Sequence, residues 1–340
     1  MSDAPVRFDR LTHYYGRQKV LDSFSFAVPQ GSITALLGRN GAGKTTAMNC
    51  LLGFLPPTRG SARILGHEAR RMPPELRERI GYVAEGQSLV PWMRVKDIVA
   101  FQASSFRSFD RELCAGYLKR LGLPPSKFVY QLSRGMRAQL ALALALSPRP
   151  ELVILDDPAM GLDAVVRREF LEVMIDLIQQ EGRTLLFTSH ILADVERVAD
   201  RVALLDKGVL RLDAPIDVLK ARIRRFRAIF DCAPPTPAGL SGGDSAALPP
   251  PAPAESFGGD SAPLRPPAPA GSLGGDSAPL RPPAPPWIQG LVRCRIRGNE
   301  LLLTVADADR AALGALGARL LEEAPLPLED IFIDYTSEVD

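Results

Sequence analysis

The sequence predicts an α/β domain followed by a small α+β appendage. Three observations carry that reading. Two short apolar runs, Ile33-Thr34-Ala35-Leu36-Leu37 and Leu152-Val153-Ile154-Leu155, have the length and composition of buried strands. Segments of helical length stand around them, at residues 45–52, 96–106, 110–121 and 136–146. Near the end of the chain, Val292, Cys294 and Ile296 alternate with Arg293, Arg295 and Arg297, the pattern of a strand buried on one face.

The 340 residues suffice for two domains, or for one large domain with an appendage. Hydrophobic residues make up 46% and charged residues 24%, as in ordinary globular proteins. Lys+Arg 41 against Asp+Glu 39 leaves a net charge of +2, which argues against a protein that coats nucleic acid. The longest apolar stretch, residues 140–146, is far short of the roughly 18 residues that suggest a membrane span. The first ten residues hold no apolar core, so no secretory leader is expected. Cys50, Cys114, Cys232 and Cys294 are widely spaced and read as reduced thiols.

Proline is concentrated. Sixteen of the 31 prolines lie in residues 232–286. There the string Gly-Gly-Asp-Ser-Ala occurs at Gly242, Gly258 and Gly274, a period of 16. Each copy runs into a Pro/Ala tract with no apolar face to stack, so a disordered, partly polyproline-II loop is expected rather than a solenoid. A ligand for a proline-recognising domain is the sharper alternative. The expected organisation is a large domain over residues 1–220 and a first appendage strand at 221–231. The tract follows at 232–286, and the rest of the appendage at 287–340.

The first apolar run enters Gly38-Arg39-Asn40-Gly41-Ala42-Gly43-Lys44-Thr45, which is G-x-x-x-x-G-K-T, the P-loop. Its glycines let backbone N–H groups converge on phosphate oxygens, and the following helix adds its N-terminal dipole. Lys44 would reach the β- and γ-phosphates of a nucleotide, and the Thr45 hydroxyl would ligate Mg²⁺. The second run ends in Asp156-Asp157. Asp156 suits a magnesium partner acting through water, and Asp157 a general base for an attacking water. Read without the P-loop, the two acids would as well cap the turn at Pro158.

With these in place, the sequence over residues 6–220 resembles the ATP-binding subunit of an ABC transporter. Leu132-Ser133-Arg134-Gly135-Met136 resembles the signature motif, and Ile154-Leu155-Asp156-Asp157-Pro158 the Walker B motif. Gly161-Leu162-Asp163 resembles the D-loop and Thr188-Ser189-His190 the switch histidine. Tyr15-Gly16 stands where the family stacks a ring on adenine, and Tyr82-Val83-Ala84-Glu85 where it carries the Q-loop.

The resemblance implies a P-loop NTPase of ABC ATPase type. Such a fold has a RecA-like core, an antiparallel β-subdomain and a helical signature subdomain, here at about residues 87–148. It implies ATP and Mg²⁺ as cofactors. Asp157, His190 and Glu85 take catalytic positions, and Thr45, Asp156 and Glu85 metal positions. Nucleotide contacts fall to Tyr15, Gly38, Asn40, Gly41, Ala42, Gly43, Lys44, Thr45 and Thr46. Ser133 and Gly135 would act in trans, because two subunits close head to tail on the nucleotide. The second subunit is either another copy or a related ATPase. A transmembrane permease on a separate chain is implied, which places this chain peripherally on the cytoplasmic face of the membrane. No specific nucleic acid is expected.

Three positions depart from the family pattern. Asp157 replaces the usual Glu and is one methylene shorter, so slow but real hydrolysis is expected. Glu85 replaces Gln, with Gln87 a nearby substitute. Arg134 replaces a glycine and could add positive charge near phosphate. Trp92, Met93, Phe101 and Phe106 could line the groove that receives a permease helix, or could be subdomain core.

In the appendage, residues 292–297 and 300–305 read as a hairpin with Gly298-Asn299 as its turn. Residues 307–323 read as an amphipathic helix, and residues 223–230 as a further strand of the same sheet. Leu328-Glu329-Asp330-Ile331-Phe332 resembles the tail of ATPases from two-component exporters. The arginine face reads either as solvated and balanced by Glu322, Glu323, Glu329 and Asp330, or as a surface for anionic lipid or nucleic acid. An exporter ATPase is the function expected. An importer ATPase, a soluble ABC-type ATPase and a non-hydrolysing ATP sensor are the alternatives.

Overall fold

The computed structural model describes residues 4–86, 89–179, 182–231, 291–297, 300–308, 313 and 318–336. The chain divides into two compact units, residues 1–210 and 211–340.

In the first unit, β1 (Val6–Tyr15) and β2 (Gln18–Val28) pair antiparallel. β3 (Ile33–Leu37) leads through the P-loop into α1 (Lys44–Leu51). β4 (Arg59–Ile64) and β5 (His67–Glu68) complete an antiparallel sheet of order β2-β1-β4-β5. The chain continues through α2 (Pro74–Arg77), β6 (Ile80–Val83), α3 (Val95–Ser105), α4 (Arg111–Arg120) and α5 (Arg134–Leu146). Then come β7 (Leu152–Leu155), α6 (Ala164–Gln179), β8 (Thr184–Ser189), α7 (Leu192–Val198), β9 (Arg201–Asp206) and β10 (Val209–Pro215).

The second sheet has the order β10-β9-β3-β8-β7-β6, with β3 parallel to both β8 and β9, and β7 parallel to both β8 and β6. Every residue of β3, β7 and β8 is buried. A parallel strand covered on both faces reads as a continuous apolar run, which is why β3 and β7 are legible in the sequence. The order places the C-terminal ends of β3, β7 and β8 side by side, and the site lies there.

α3, α4 and α5 form a helical layer around Val95, Ile98, Cys114, Leu118, Leu132, Leu140 and Leu144. Asp110 caps α4, accepting from the Leu113 amide at 2.8 Å. Trp92 and Phe101 are exposed and do not belong to that core, whereas Met93 packs against it. Cys50 and Cys114 are buried free thiols, and burial pushes the Cys50 thiol up to about 11. Among the described residues, no helix is long and apolar enough to cross a membrane.

The second unit begins inside β10, about ten residues before the boundary expected from sequence. The shift follows from α8 (Ile216–Arg222), which packs on β11 (Ile223–Ile229) and so joins the appendage. β12 (Leu291–Arg297), β13 (Glu300–Ala306) and β14 (Leu320–Pro325) complete an antiparallel sheet of order β12-β13-β11-β14. The β12–β13 hairpin and the addition of β11 match expectation. One side carries an apolar core of Phe226, Ala228, Leu301, Leu303 and Val305.

The helix expected over residues 307–323 is corrected at its end. Leu320, Leu321, Glu322 and Glu323 lie in β14, paired antiparallel with β11. Leu and Glu are good helix formers, but the backbone edge of β11 supplies a ladder that local propensity does not anticipate.

The solvated arginine face is also corrected. Arg293 is only 7% exposed. The carboxylate of Asp334, from the C-terminal helix Leu328–Thr336, lies 3.0 Å from Arg225, 3.1 Å from Arg295 and 3.6 Å from Arg293. It also accepts from the Thr304 hydroxyl at 2.6 Å. Asp330 pairs with Arg225, Glu322 with Arg227 and Glu323 with Arg224. Glu329 makes no ion pair among the described residues. The proline-rich tract, Cys232, Gln87 and the Gly298-Asn299 turn lie outside the described residues.

Candidate functional site

The loop after β3 turns on backbone conformations that favour glycine. Gly43 has φ +108°, and a Cβ there would meet Leu21 Cδ2 at 2.9 Å. At Gly38 a Cβ would meet the Leu205 carbonyl oxygen at 2.5 Å, so the loop closes against β9 only without a side chain. Lys44 lies back along the loop, its Nζ donating to the carbonyls of Gly38 at 2.8 Å and Arg39 at 3.2 Å. Burial lowers its pKa, while Asp157, Asp156 and Glu85 oppose that shift.

A cleft of about 340 Å³ opens beside this loop. Its lining includes nine residues expected from the sequence: Asn40, Gly41, Gly43, Lys44, Thr45, Thr46, Glu85, Asp156 and Asp157. Gly38 and Ala42 shape the loop without lining the cleft; Ala42 N donates to the Arg39 carbonyl at 3.1 Å. Tyr15 is half exposed and stands apart from the lining, its ring edge-on to His13 at 4.8 Å.

Asp156 and Asp157 leave the end of β7 as a buried pair, 2% and 9% exposed. Thr188, the first residue of the Thr188-Ser189-His190 motif, organises them. The Thr188 hydroxyl at the end of β8 donates to Asp156 Oδ1 at 2.6 Å and accepts from the Asp157 amide at 2.8 Å. Thr188 itself is fully buried. Gln18 and Val20 of β2 also line the cleft unforeseen. No local signal marks Gln18 or Val20, because β2 belongs to the other sheet and only tertiary packing brings it to the cleft.

Asp157 has a left-handed backbone, φ +41°, which Asp tolerates better than most residues. Its Oδ2 lies 2.7 Å from His190 Nδ1. The expected base and the expected switch histidine are therefore in direct contact.

The donor set fits a magnesium ion. Asp156 Oδ2 is buried with no hydrogen-bond partner, and Thr45 lines the same cleft. Among the described residues no three acidic, His or Cys side chains converge tightly enough to cage a metal. Magnesium is commonly held by one or two protein carboxylates, with water and phosphate completing its shell.

The signature residues sit elsewhere on the first unit. Ser133 caps α5, its Oγ accepting from the Met136 amide at 3.1 Å. The helix thus starts two residues earlier than expected, at Arg134. A Cβ on Gly135 would lie 2.5 Å from Val166 Cγ1, so this glycine lets α5 pack on α6. Arg134 is exposed, and its Nη1 donates to the Gly161 carbonyl at 3.4 Å.

The profile of the ABC transporter family matches residues 21–160. The bacitracin transport ATP-binding protein of Bacillus licheniformis is 34% identical over 223 residues, covering 65% of this chain and 73% of that protein. The sulfate/thiosulfate import ATP-binding protein of Mycobacterium tuberculosis is 36% identical over 225 residues, 64% of each chain. Among solved structures, an ATP-binding subunit of an ABC transporter superimposes with a TM-score of 0.56 at 28% identity, covering 64% of this chain and 92% of its own.

Proposed function

Because this chain belongs to the ATP-binding proteins of ABC transporters, a family of ATPases, we propose that it is the energy-coupling subunit of an exporter. In this reading it hydrolyses MgATP at sites shared between two ATPase subunits and drives a permease on a separate chain, from the cytoplasmic face of the membrane. The observation that carries it is the convergence in one cleft of the Lys44 ammonium, the unpaired Asp156 oxygen and the Asp157–His190 pair.

Lys44 and the loop amides bind the β- and γ-phosphates, and Tyr15 stacks on the adenine. Thr45, Asp156 through water, and Glu85 would hold a magnesium ion, which would neutralise phosphate charge when bound. Asp157 accepts the proton of the attacking water, and His190 orients that carboxylate. Ser133 and Gly135 of the second subunit close the cleft.

The tail at Leu328-Glu329-Asp330-Ile331-Phe332 supports the exporter reading, and the bacitracin transport relative supports a role in transport. The sulfate/thiosulfate import relative, at 36% identity, supports an importer as the second reading.

The test is co-purification. The tagged full chain is extracted from native membranes in mild detergent and its partners are identified by mass spectrometry. A stoichiometric multi-span protein is expected, and transport assays with it decide the direction. Recovery from the soluble fraction alone would refute the transporter role. ATP turnover should vanish in Lys44→Ala; turnover surviving there would come from a contaminant.

A further inference from the structure

Gln18 stands where the phosphate cleft meets the half-exposed ring of Tyr15. In the β1–β2 hairpin, Tyr15 and Gln18 are direct cross-strand partners. Residues so paired hold their Cβ atoms roughly 4.5–5.5 Å apart on one face of the sheet. Gln18 lines the cleft, with Val20 two residues along the same strand. Alternation sends Lys19 to the other face, where its ammonium pairs with Asp22 at 2.8 Å and lies 6.0 Å from the centre of the Tyr14 ring. Backbone contacts key this strand to the phosphate loop. A Cβ on Gly208 would lie 2.3 Å from the Val20 carbonyl oxygen, and one on Gly43 3.0 Å from it. The Asp22 amide donates to the Gly208 carbonyl at 2.9 Å, and the Gly208 amide to the Ala42 carbonyl at 3.0 Å. Gln18 therefore keeps a fixed place relative to a nucleotide held by the loop.

We propose that Gln18 reads the base of the nucleotide and makes the site selective for adenine over guanine. The inference rests on the nucleotide reading above and adds to it. Stacking on Tyr15 is tolerant, because every base has a π-face. A base lying on that ring turns an edge to the cross-strand neighbour. The Gln18 amide offers a donor at one end and an acceptor at the other. Adenine presents its N6 amino group as donor and N7 as acceptor, so both ends of the amide are satisfied. Guanine presents O6 and N7, two acceptors, and leaves the amide oxygen facing a lone pair. Gln18 is exposed, so water competes for the same groups and the discrimination is modest.

The experiment is competition binding to the full chain with Mg²⁺ present. ATP, GTP, 2′-deoxy-ATP and purine riboside triphosphate, which lacks the 6-amino group, each displace a fluorescent ATP analogue. The parent should bind ATP about ten-fold more tightly than GTP or purine riboside triphosphate. In Gln18→Met, which keeps the length and loses the amide, these three should bind alike. A parent that binds ATP and GTP equally, or a preference that survives in Gln18→Met, would overturn base reading. A variant that instead removes a preference for ATP over 2′-deoxy-ATP would also overturn it, by putting the amide on the sugar. Failure of the parent to bind the analogue at all would refute the nucleotide site, and base reading with it.

Discussion

Thr188→Val tests whether one hydroxyl sets the geometry of both site carboxylates. The substitution is nearly isosteric, so it removes two hydrogen bonds without opening a cavity. One is the 2.6 Å bond to Asp156 Oδ1, and the other the 2.8 Å bond from the Asp157 amide. Hydrogen bonds to charged groups contribute roughly 1.5–3 kcal/mol, and a buried amide left unsatisfied costs about 1–3 kcal/mol. All three residues are at most 9% exposed, so little water can substitute. A loss of about 3 kcal/mol is expected, since the chain relaxes in part. Thr188→Ser keeps the hydroxyl and gives up one buried methyl, for about 1 kcal/mol. The assay is urea unfolding by circular dichroism, with the transition of the first unit compared between the two variants. ATP turnover should fall in the valine variant and survive in the serine one. A valine variant within about 0.5 kcal/mol of the parent would refute the reasoning, because the two bonds would then be worth no more than their exchange with water.

Three other outcomes are expected. Asp157→Asn should lower kcat about a hundred-fold or more while ATP binding persists, as measured by turnover and equilibrium titration. Asp334→Ala takes the carboxylate away from buried Arg293, while Arg225 keeps Asp330, and should destabilise the appendage by about 3–5 kcal/mol, visible as faster hydrogen exchange in β12 and β13. The Leu113 amide and Arg149 hold the Asp110 carboxyl below its ordinary value of 3.8. A depressed folded pKa gives stability that is present above that value and lost as pH falls through the folded pKa. Asp110→Asn should therefore flatten the acid limb of the stability profile and leave the neutral region changed only by the loss of the ion pair.

Legibility in the sequence followed burial. β3 and β7 could be read because both faces are covered, and the P-loop because its chemistry needs consecutive residues at fixed spacing. Thr188 stands in a motif marked by His190, yet its own role depends on β8 lying beside β7. That adjacency is set by tertiary pairing. β14 was hidden for a related reason. Its six residues are all exposed, so no alternation marks it, and only the edge of β11 makes it a strand. Arg293 looked like a surface residue because its partner, Asp334, is remote in sequence and belongs to another element.

The position of Lys44 has a consequence for how the loop meets an anion. Its ammonium is already stripped of most water and resting on two carbonyls of its own loop. Taking a phosphate then means trading one set of oxygens for another, with the dehydration of the lysine completed during folding. The loop behaves as a pre-loaded receptor. Its selectivity turns on whether an incoming group offers better oxygens than Gly38 and Arg39 do, so weakly charged or strongly hydrated anions would leave the lysine where it lies.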